Sequence, residues 1–165
     1  MKGIIKRFPG VVALDNVDFE LLEGEVHGLV GENGAGKSTL VKIMTGVYKK
    51  DGGETFLRDE PIEIQSTIHA LKLGISVIHQ ELSLCPYLSV AENMFMGHAP
   101  KRSIPFMVDW KTLHERTEEV LVKLKLDTLL SSRTPVSRLS VAQAQMVEIG
   151  KAVSSNARII LMDEP

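Results

Sequence analysis

The run Gly31-Glu32-Asn33-Gly34-Ala35-Gly36-Lys37-Ser38 satisfies the pattern G-x-x-x-x-G-K-[ST] at every fixed position. The residue types explain the chemistry. Glycines let successive backbone N–H groups turn inward around phosphate oxygens, and a helix starting at the end of the run adds a favourable dipole. Lys37 is placed to bridge β- and γ-phosphates, and the Ser38 hydroxyl to ligate Mg²⁺. The pattern points to a nucleotide site rather than to a glycine-rich turn that binds nothing. A second group, Asp163-Glu164, follows the apolar run Ile159-Ile160-Leu161-Met162. An aspartate there can hold Mg²⁺ through water, and the adjacent glutamate can polarise an attacking water. Acidic pairs also decorate solvated turns, so this one gains its meaning from the phosphate loop.

Both groups need a framework of alternating strands and helices. Val26-His27-Gly28-Leu29-Val30 is a short apolar run, expected to be a buried strand leading into the loop. After the loop, Leu40, Val41, Ile43, Met44 and Val47 fall at helical spacing. Val17-Asp18-Phe19-Glu20-Leu21 alternates with period two, and Glu23-Gly24-Glu25 reads as a turn. Asp51-Gly52-Gly53 is a turn signal, with short strands expected at 55–57 and 61–64. Ser66 is placed to cap a helix over about residues 67–73 that Gly74 ends, and Ile75–Ile78 reads as a strand. From about 82 to 138 there is little strand pattern, and His98–Pro105 interrupts regular structure. Asp109 can cap a helix with Leu113, Thr117, Val120, Leu121 and Leu124 on one stripe. Val141 to Val153 reads as a further helix with Ala142, Met146, Ile149 and Val153 on one face. With Ile159–Met162 as a last strand, the alternation predicts an α/β fold, a mainly parallel core carrying a helical insertion. In such an open sheet the strand end bearing Asp163 and Glu164 faces the ligand crevice.

Composition sets the outer bounds. The 165 residues are 44% hydrophobic, which is ordinary globular composition and suffices for one domain. Nineteen Lys and Arg against 21 Asp and Glu give a net charge of −2, so no basic excess marks nucleic acid or an anionic membrane as partner. The single cysteine, Cys85, excludes an internal disulfide and fits a reducing compartment. After Lys2, Lys6 and Arg7 the apolar stretch is only Val11–Leu14, short of the roughly 7–15 residues of a secretory core. No run approaches the roughly 18 apolar residues of a spanning helix.

Taken in order, further segments carry a family resemblance. They are Phe8-Pro9-Gly10-Val11-Val12-Ala13-Leu14, the phosphate loop extended through Thr39-Leu40, Ile78-His79-Gln80-Glu81-Leu82 and Leu88-Ser89-Val90-Ala91-Glu92-Asn93. Leu139-Ser140-Val141-Ala142-Gln143 and Ile160-Leu161-Met162-Asp163-Glu164-Pro165 complete the series. Over nearly its whole length the chain resembles the ATPase subunit of ATP-binding cassette transporters, most nearly the first cassette of bacterial monosaccharide importers of the ribose, galactose and arabinose type. The resemblance implies a P-loop NTPase fold with an antiparallel β subdomain beside the parallel core. It also implies a nucleotide-binding core of about 1–81 and 155–165 and a helical subdomain of about 82–154.

The resemblance assigns roles residue by residue. Phe8 corresponds to the aromatic that stacks on adenine; Gly31, Asn33, Gly34, Ala35, Gly36, Lys37, Ser38 and Thr39 surround the phosphates. Gln80 corresponds to the Q-loop glutamine that touches Mg²⁺ and the attacking water, and Ser38, Gln80 and Asp163 form the metal set. Glu164 is the catalytic carboxylate, with Lys37 and Gln80 assisting. Ser140 and Gln143 lie in the signature motif, which caps the γ-phosphate held by the opposite cassette. Val141 and Ala142 stand there where the common pattern has two glycines. The D-loop and switch histidine are expected beyond Pro165, and the first strand is expected to be clipped at Met1.

The implied protein binds MgATP between two cassettes, in one chain or a dimer. It would work on the cytoplasmic face of the membrane with a transmembrane permease and, indirectly, a periplasmic or extracellular sugar-binding protein. Nucleic acid is not an expected partner. Two other readings stay open: a soluble ATPase of the same superfamily in translation or DNA repair, and a non-catalytic nucleotide-binding fragment.

Overall fold

The computed structural model describes residues 1–78, 83–102 and 107–162. Gln80, Asp163 and Glu164, and residues 103–105 of the expected break, lie outside that set. The described chain divides into two units, Met1–Ile75 and Ser76–Pro165.

In the first unit, strands β1 (Lys2–Phe8) and β2 (Val11–Val17) form an antiparallel hairpin across Pro9-Gly10. On its other side β1 pairs with β3 (Gly52–Leu57), which turns through Arg58-Asp59 into β4 (Glu60–Ile62), giving the antiparallel order β2-β1-β3-β4. Helix α1 (Lys37–Met44) buries Leu40, Ile43 and Met44 and packs on β2, while Ile4 and Leu14 supply the buried side of the sheet. Helix α2 (Thr67–Lys72) starts at Ser66, whose Oγ accepts the His69 N–H at 3.2 Å, as the sequence implied.

Three sequence expectations change here, and one strand is added: β1 runs for seven residues and is paired on both edges. Its polar letters, Lys2, Lys6 and Arg7, hide it from a hydrophobicity reading. The strand expected at Val17–Leu21 lies earlier, because the ladder from β1 reaches only Ile4 opposite Val17, and the next residue, Asp18, instead accepts the Gly3 N–H at 2.6 Å. Residues 26–30 form no strand; Val26 is fully exposed and Val30 is 93% exposed. An apolar run becomes a strand only when a neighbour completes its ladder, and among the described residues none pairs with it. Val47 lies beyond the helix, half exposed, since the N–H groups of Val47 and Tyr48 both return to the Lys42 carbonyl and close α1 at Met44.

The second unit contains β5 (Ile75–Ile78, whose first residue ends the preceding unit), α3 (Val90–Met94), α4 (Trp110–Lys123), α5 (Val141–Ser154) and β6 (Ile159–Met162). Strands β5 and β6 pair in a two-stranded parallel sheet, the parallel component of the fold. Helix α3 packs against α4 and α5 around Val90, Met94, Leu113, Leu121 and Val147, all essentially inaccessible. Each such side chain contributes about 1.5–3 kcal/mol by leaving water. Asn93 is buried in this core and satisfied: its Oδ1 accepts the Cys85 N–H at 2.7 Å, and its Nδ2 donates to the carbonyls of Cys85, Leu88 and Ser89.

Helix α5 begins where the sequence placed it but turns a different face inward. Ala144, Val147, Glu148, Gly150 and Ala152 are buried; Ala142 and Met146 are exposed, and Ile149 and Val153 half-buried. The reason is the partner rather than the period. A Cβ at Gly150 would run into the end of the Met94 side chain, so α3 and α5 meet closely along the Gly150 side. No helix among the described residues is long and apolar enough to cross a membrane.

Candidate functional site

The phosphate-loop residues form one continuous feature of the first unit. Ala35 N–H closes a tight turn onto the Glu32 carbonyl at 3.1 Å, and Gly36 then serves as the N-cap of α1. Gly34 and Gly36 have φ of 86° and 90°, the left-handed region that side-chain-bearing residues rarely enter. At Gly36 space forbids a side chain as well: a Cβ would lie 2.5 Å from the Ala13 carbonyl oxygen and 2.7 Å from Leu14 Cδ2. The loop is thus pressed against β2, and only glycine permits that approach.

The electrostatics of this helix start are one-sided. No side chain caps α1, and its first turn holds no acidic residue. The N–H groups of the first turn therefore have neither an intrahelical acceptor nor a capping oxygen, and the helix dipole places partial positive charge there. Lys37 adds a full charge; its Nζ donates to the carbonyls of Gly31 at 2.7 Å and Glu32 at 2.9 Å, folding back over the loop. Ser38 is exposed and Thr39 half-buried beside it. An ammonium, a row of N–H donors and a hydroxyl make a donor set that suits a polyphosphate carrying a hard divalent cation such as Mg²⁺. Of the expected metal set the structure describes Ser38; Gln80 and Asp163 are outside the described residues, as is Glu164.

Phe8 ends β1 in the same unit, half-buried. Its ring meets Tyr48 edge-on at 5.3 Å between centroids, and Lys6 Nζ lies 5.4 Å from its centre. Sequence reading missed Tyr48 and Lys6. The strand period was the available signal for Lys6, since residues two apart share a face. The Asp51 carboxylate accepts Lys6 Nζ at 2.9 Å and the Arg7 N–H at 2.7 Å, and these two bonds hold its pKa below the ordinary aspartate value.

Ser140 and Gln143 come together in the second unit as a reciprocal cap of α5. Ser140 Oγ accepts the Gln143 N–H at 3.3 Å, and Gln143 Oε1 accepts the Ser140 N–H at 2.9 Å. This S-x-x-Q capping box was legible in the sequence but went unread beneath the motif. Also missed was Glu148, a buried carboxylate further along α5 that accepts both the N–H and the hydroxyl of Ser83.

Comparison with known proteins agrees with this geometry. The family model described as ABC transporter matches residues 14–165. The whole chain is 53% identical over 165 residues to a ribose import ATP-binding protein of Rubrobacter xylanophilus, covering 32% of that protein. It is 52% identical over 163 residues, 99% of this chain, to a putative ribose/galactose/methyl galactoside import ATP-binding protein of Agrobacterium fabrum, covering 31% of it. The chain therefore spans less than a third of the length of these curated relatives. Among solved structures, an ATP-binding cassette of an ABC transporter in its ADP conformation matches with TM-score 0.81 and 31% identity, over 99% of this chain and 67% of that one.

Proposed function

The chain belongs to the ABC transporter family, and from that membership we propose that it is the nucleotide-binding part of an ATP-hydrolysing subunit powering import of a simple sugar. The observation that carries the reading is the uncapped, acid-free start of α1 with Lys37 folded over the loop. The names of the relatives, ribose and galactose import proteins, support a monosaccharide as cargo.

In this proposal the amides of residues 31–39 and the Lys37 ammonium hold the β- and γ-phosphates of ATP, with Gly31, Asn33, Gly34, Ala35, Gly36 and Thr39 shaping the cradle. Phe8, backed by Tyr48, offers its ring to the adenine; such stacking is worth about 1–3 kcal/mol per base. Ser38, Gln80 and Asp163 would hold Mg²⁺, which would supply positive charge against that of the phosphates. Glu164 aligns a water and takes its proton as the water oxygen bonds to the γ-phosphorus and the bond to the β–γ bridging oxygen breaks. Lys37 and the loop amides offset charge gathering on the departing oxygen. Ser140 and Gln143 address the nucleotide of a second cassette. Core and helical parts follow the boundaries of about 1–81 with 155–165, and 82–154. The working unit sits on the cytoplasmic face of the membrane with a permease, and a periplasmic or extracellular sugar-binding protein feeds that permease.

The test is steady-state phosphate release by the full-length protein carrying Glu164→Gln. Loss of a positioned base slows hydrolysis about 10²–10⁴-fold while MgATP binding persists. Unchanged turnover would remove Glu164 from the role.

A further inference from the structure

Lysine side chains ordinarily keep the ammonium in water and the long stem mobile, and fixing the stem costs rotamer freedom. Lys6 departs from this: its side chain is 14% exposed, whereas Lys2, on the same strand β1, is exposed. Asp51 fixes it, accepting a hydrogen bond from Nζ at 2.9 Å with one carboxylate oxygen and the Arg7 N–H at 2.7 Å with the other. The Asp51 N–H also donates to the Ile5 carbonyl at 2.8 Å, so this residue is anchored to β1 through its backbone as well. An ion pair in such a setting contributes little to stability on its own. What the pinning produces is a position: Nζ stands over the Phe8 ring, 5.4 Å from its centre.

The ring has a second fixed neighbour in Tyr48, edge-on with centroids 5.3 Å apart. Tyr48 is tied to α1, since its N–H donates to the Lys42 carbonyl at 3.0 Å and Lys42 Nζ lies 5.4 Å from its ring centre. Helix α1 begins at the phosphate loop, so these contacts run through the first unit from the Phe8 ring to the helix carrying Lys37. The cation also has an electrostatic use. Aromatic faces carry negative charge, which opposes stacking one face on another. A cation drawn to that charge offsets the repulsion and readies the ring for a second π-system. We infer that Lys6 is a positioning residue for the nucleotide base: held by Asp51, it fixes the Phe8 ring together with Tyr48 and tunes it to receive adenine. This rests on the proposed stacking of Phe8 on adenine.

The experiment measures, by calorimetry on the full-length protein, binding of MgATP and of magnesium tripolyphosphate, which has the phosphates without the base. Lys6→Ala weakens MgATP binding about 3–10-fold, the range of a partly desolvated cation over an aromatic ring, and leaves tripolyphosphate within about 2-fold. In steady-state hydrolysis the same variant raises KM and holds kcat within about 2-fold. Lys6→Arg, which keeps a cation, recovers most of the affinity. Asp51→Asn, which keeps an acceptor but loses the ion pair, gives a smaller loss of about 2–3-fold. The double variant Phe8→Ala/Lys6→Ala binds MgATP no more weakly than Phe8→Ala. Lys2→Ala, the matching change at a lysine 5.7 Å from the Phe56 ring centre, alters neither affinity by more than about 2-fold. Wild-type MgATP affinity in Lys6→Ala, equal losses for both ligands, additive losses in the double variant, or the same loss in Lys2→Ala overturn the role of Lys6. Each leaves that of Phe8 standing. Wild-type MgATP affinity in Phe8→Ala overturns both. If Lys6→Ala does not fold, Asp51→Asn carries the same comparison, again non-additive with Phe8→Ala.

Discussion

Two helices begin at motifs that mark function, and they begin in opposite ways. Helix α1 starts at Gly36 with no capping side chain and no acid in its first turn. Helix α5 starts at Ser140, where serine and Gln143 satisfy one another's backbone N–H groups. Every helix start leaves orphan donors. The first has no side chain on its donors; the second meets the Ser140 and Gln143 N–H groups with its own side chains. Val141 and Ala142 reinforce that closure, since either is a better helix former than glycine by some tenths of a kcal/mol up to about 1 kcal/mol. The lesson concerns what a motif can mean. At α1 no side chain caps the first-turn N–H groups, whereas at α5 Ser140 and Gln143 already hold the helix start together.

The largest expected effect strikes the open end. Lys37→Ala removes the ammonium aimed at the loop, and MgATP binding weakens about 10²-fold or more, the value of losing charge-assisted bonds to two phosphates. Calorimetric titration reads this directly, and an affinity within about 3-fold of wild type would break the distinction between the two helix starts. Gly36→Ala comes next. It forces a side chain into a left-handed backbone against the Ala13 carbonyl, costing about 1–3 kcal/mol in urea unfolding. A neutral result would mean the loop is not pressed on β2.

Ser140→Ala tests the closed end. Loss of the cap lowers stability by about 1 kcal/mol in nucleotide-free protein, visible as a lower unfolding midpoint. Unchanged stability, whatever the effect on hydrolysis, would remove the hydroxyl from the cap and erase the contrast with α1.

The same contrast explains what could be read in advance. The phosphate loop was legible because its function is local: glycines, lysine and serine at fixed spacing determine a turn and a helix start whatever surrounds them. Ser66 and Asp109 were legible as caps for the same reason. Residues 26–30 were not, because a strand exists only in its ladder and sequence does not name the neighbour. The buried face of α5 was misread because Gly150 and Met94 set it from another helix. Glu148 was invisible because its partner is 65 positions away. Phe8 was singled out through family resemblance, while Tyr48, whose ring meets it, was not, since nothing in either residue's surroundings in sequence joins them.

A third helix start offers the gentlest test. Helix α4 begins at Asp109, whose Oδ2 accepts the Thr112 hydroxyl at 2.8 Å and whose Oδ1 accepts the Thr112 N–H at 3.3 Å. The side-chain bond from Thr112, and next the backbone one, hold the Asp109 carboxyl below its ordinary pKa. Here the cap is a charge, so closure depends on pH where that of α5 does not. Because the folded value is depressed, the unfolded chain takes up the proton first as acid is added. The stabilisation is complete above the ordinary aspartate value of about 3.9 and is lost as pH falls through the folded value. Asp109→Asn retains a capping oxygen without a titratable charge. The urea midpoint of wild type minus that of Asp109→Asn should therefore be larger at about pH 6 than at about pH 3. With the pair only half-buried, the difference is small, and the corresponding difference for Ser140→Ala should stay flat over the same range. If Ser140→Ala were the pH-dependent one, the cap of α5 would involve a charge that its capping box does not contain.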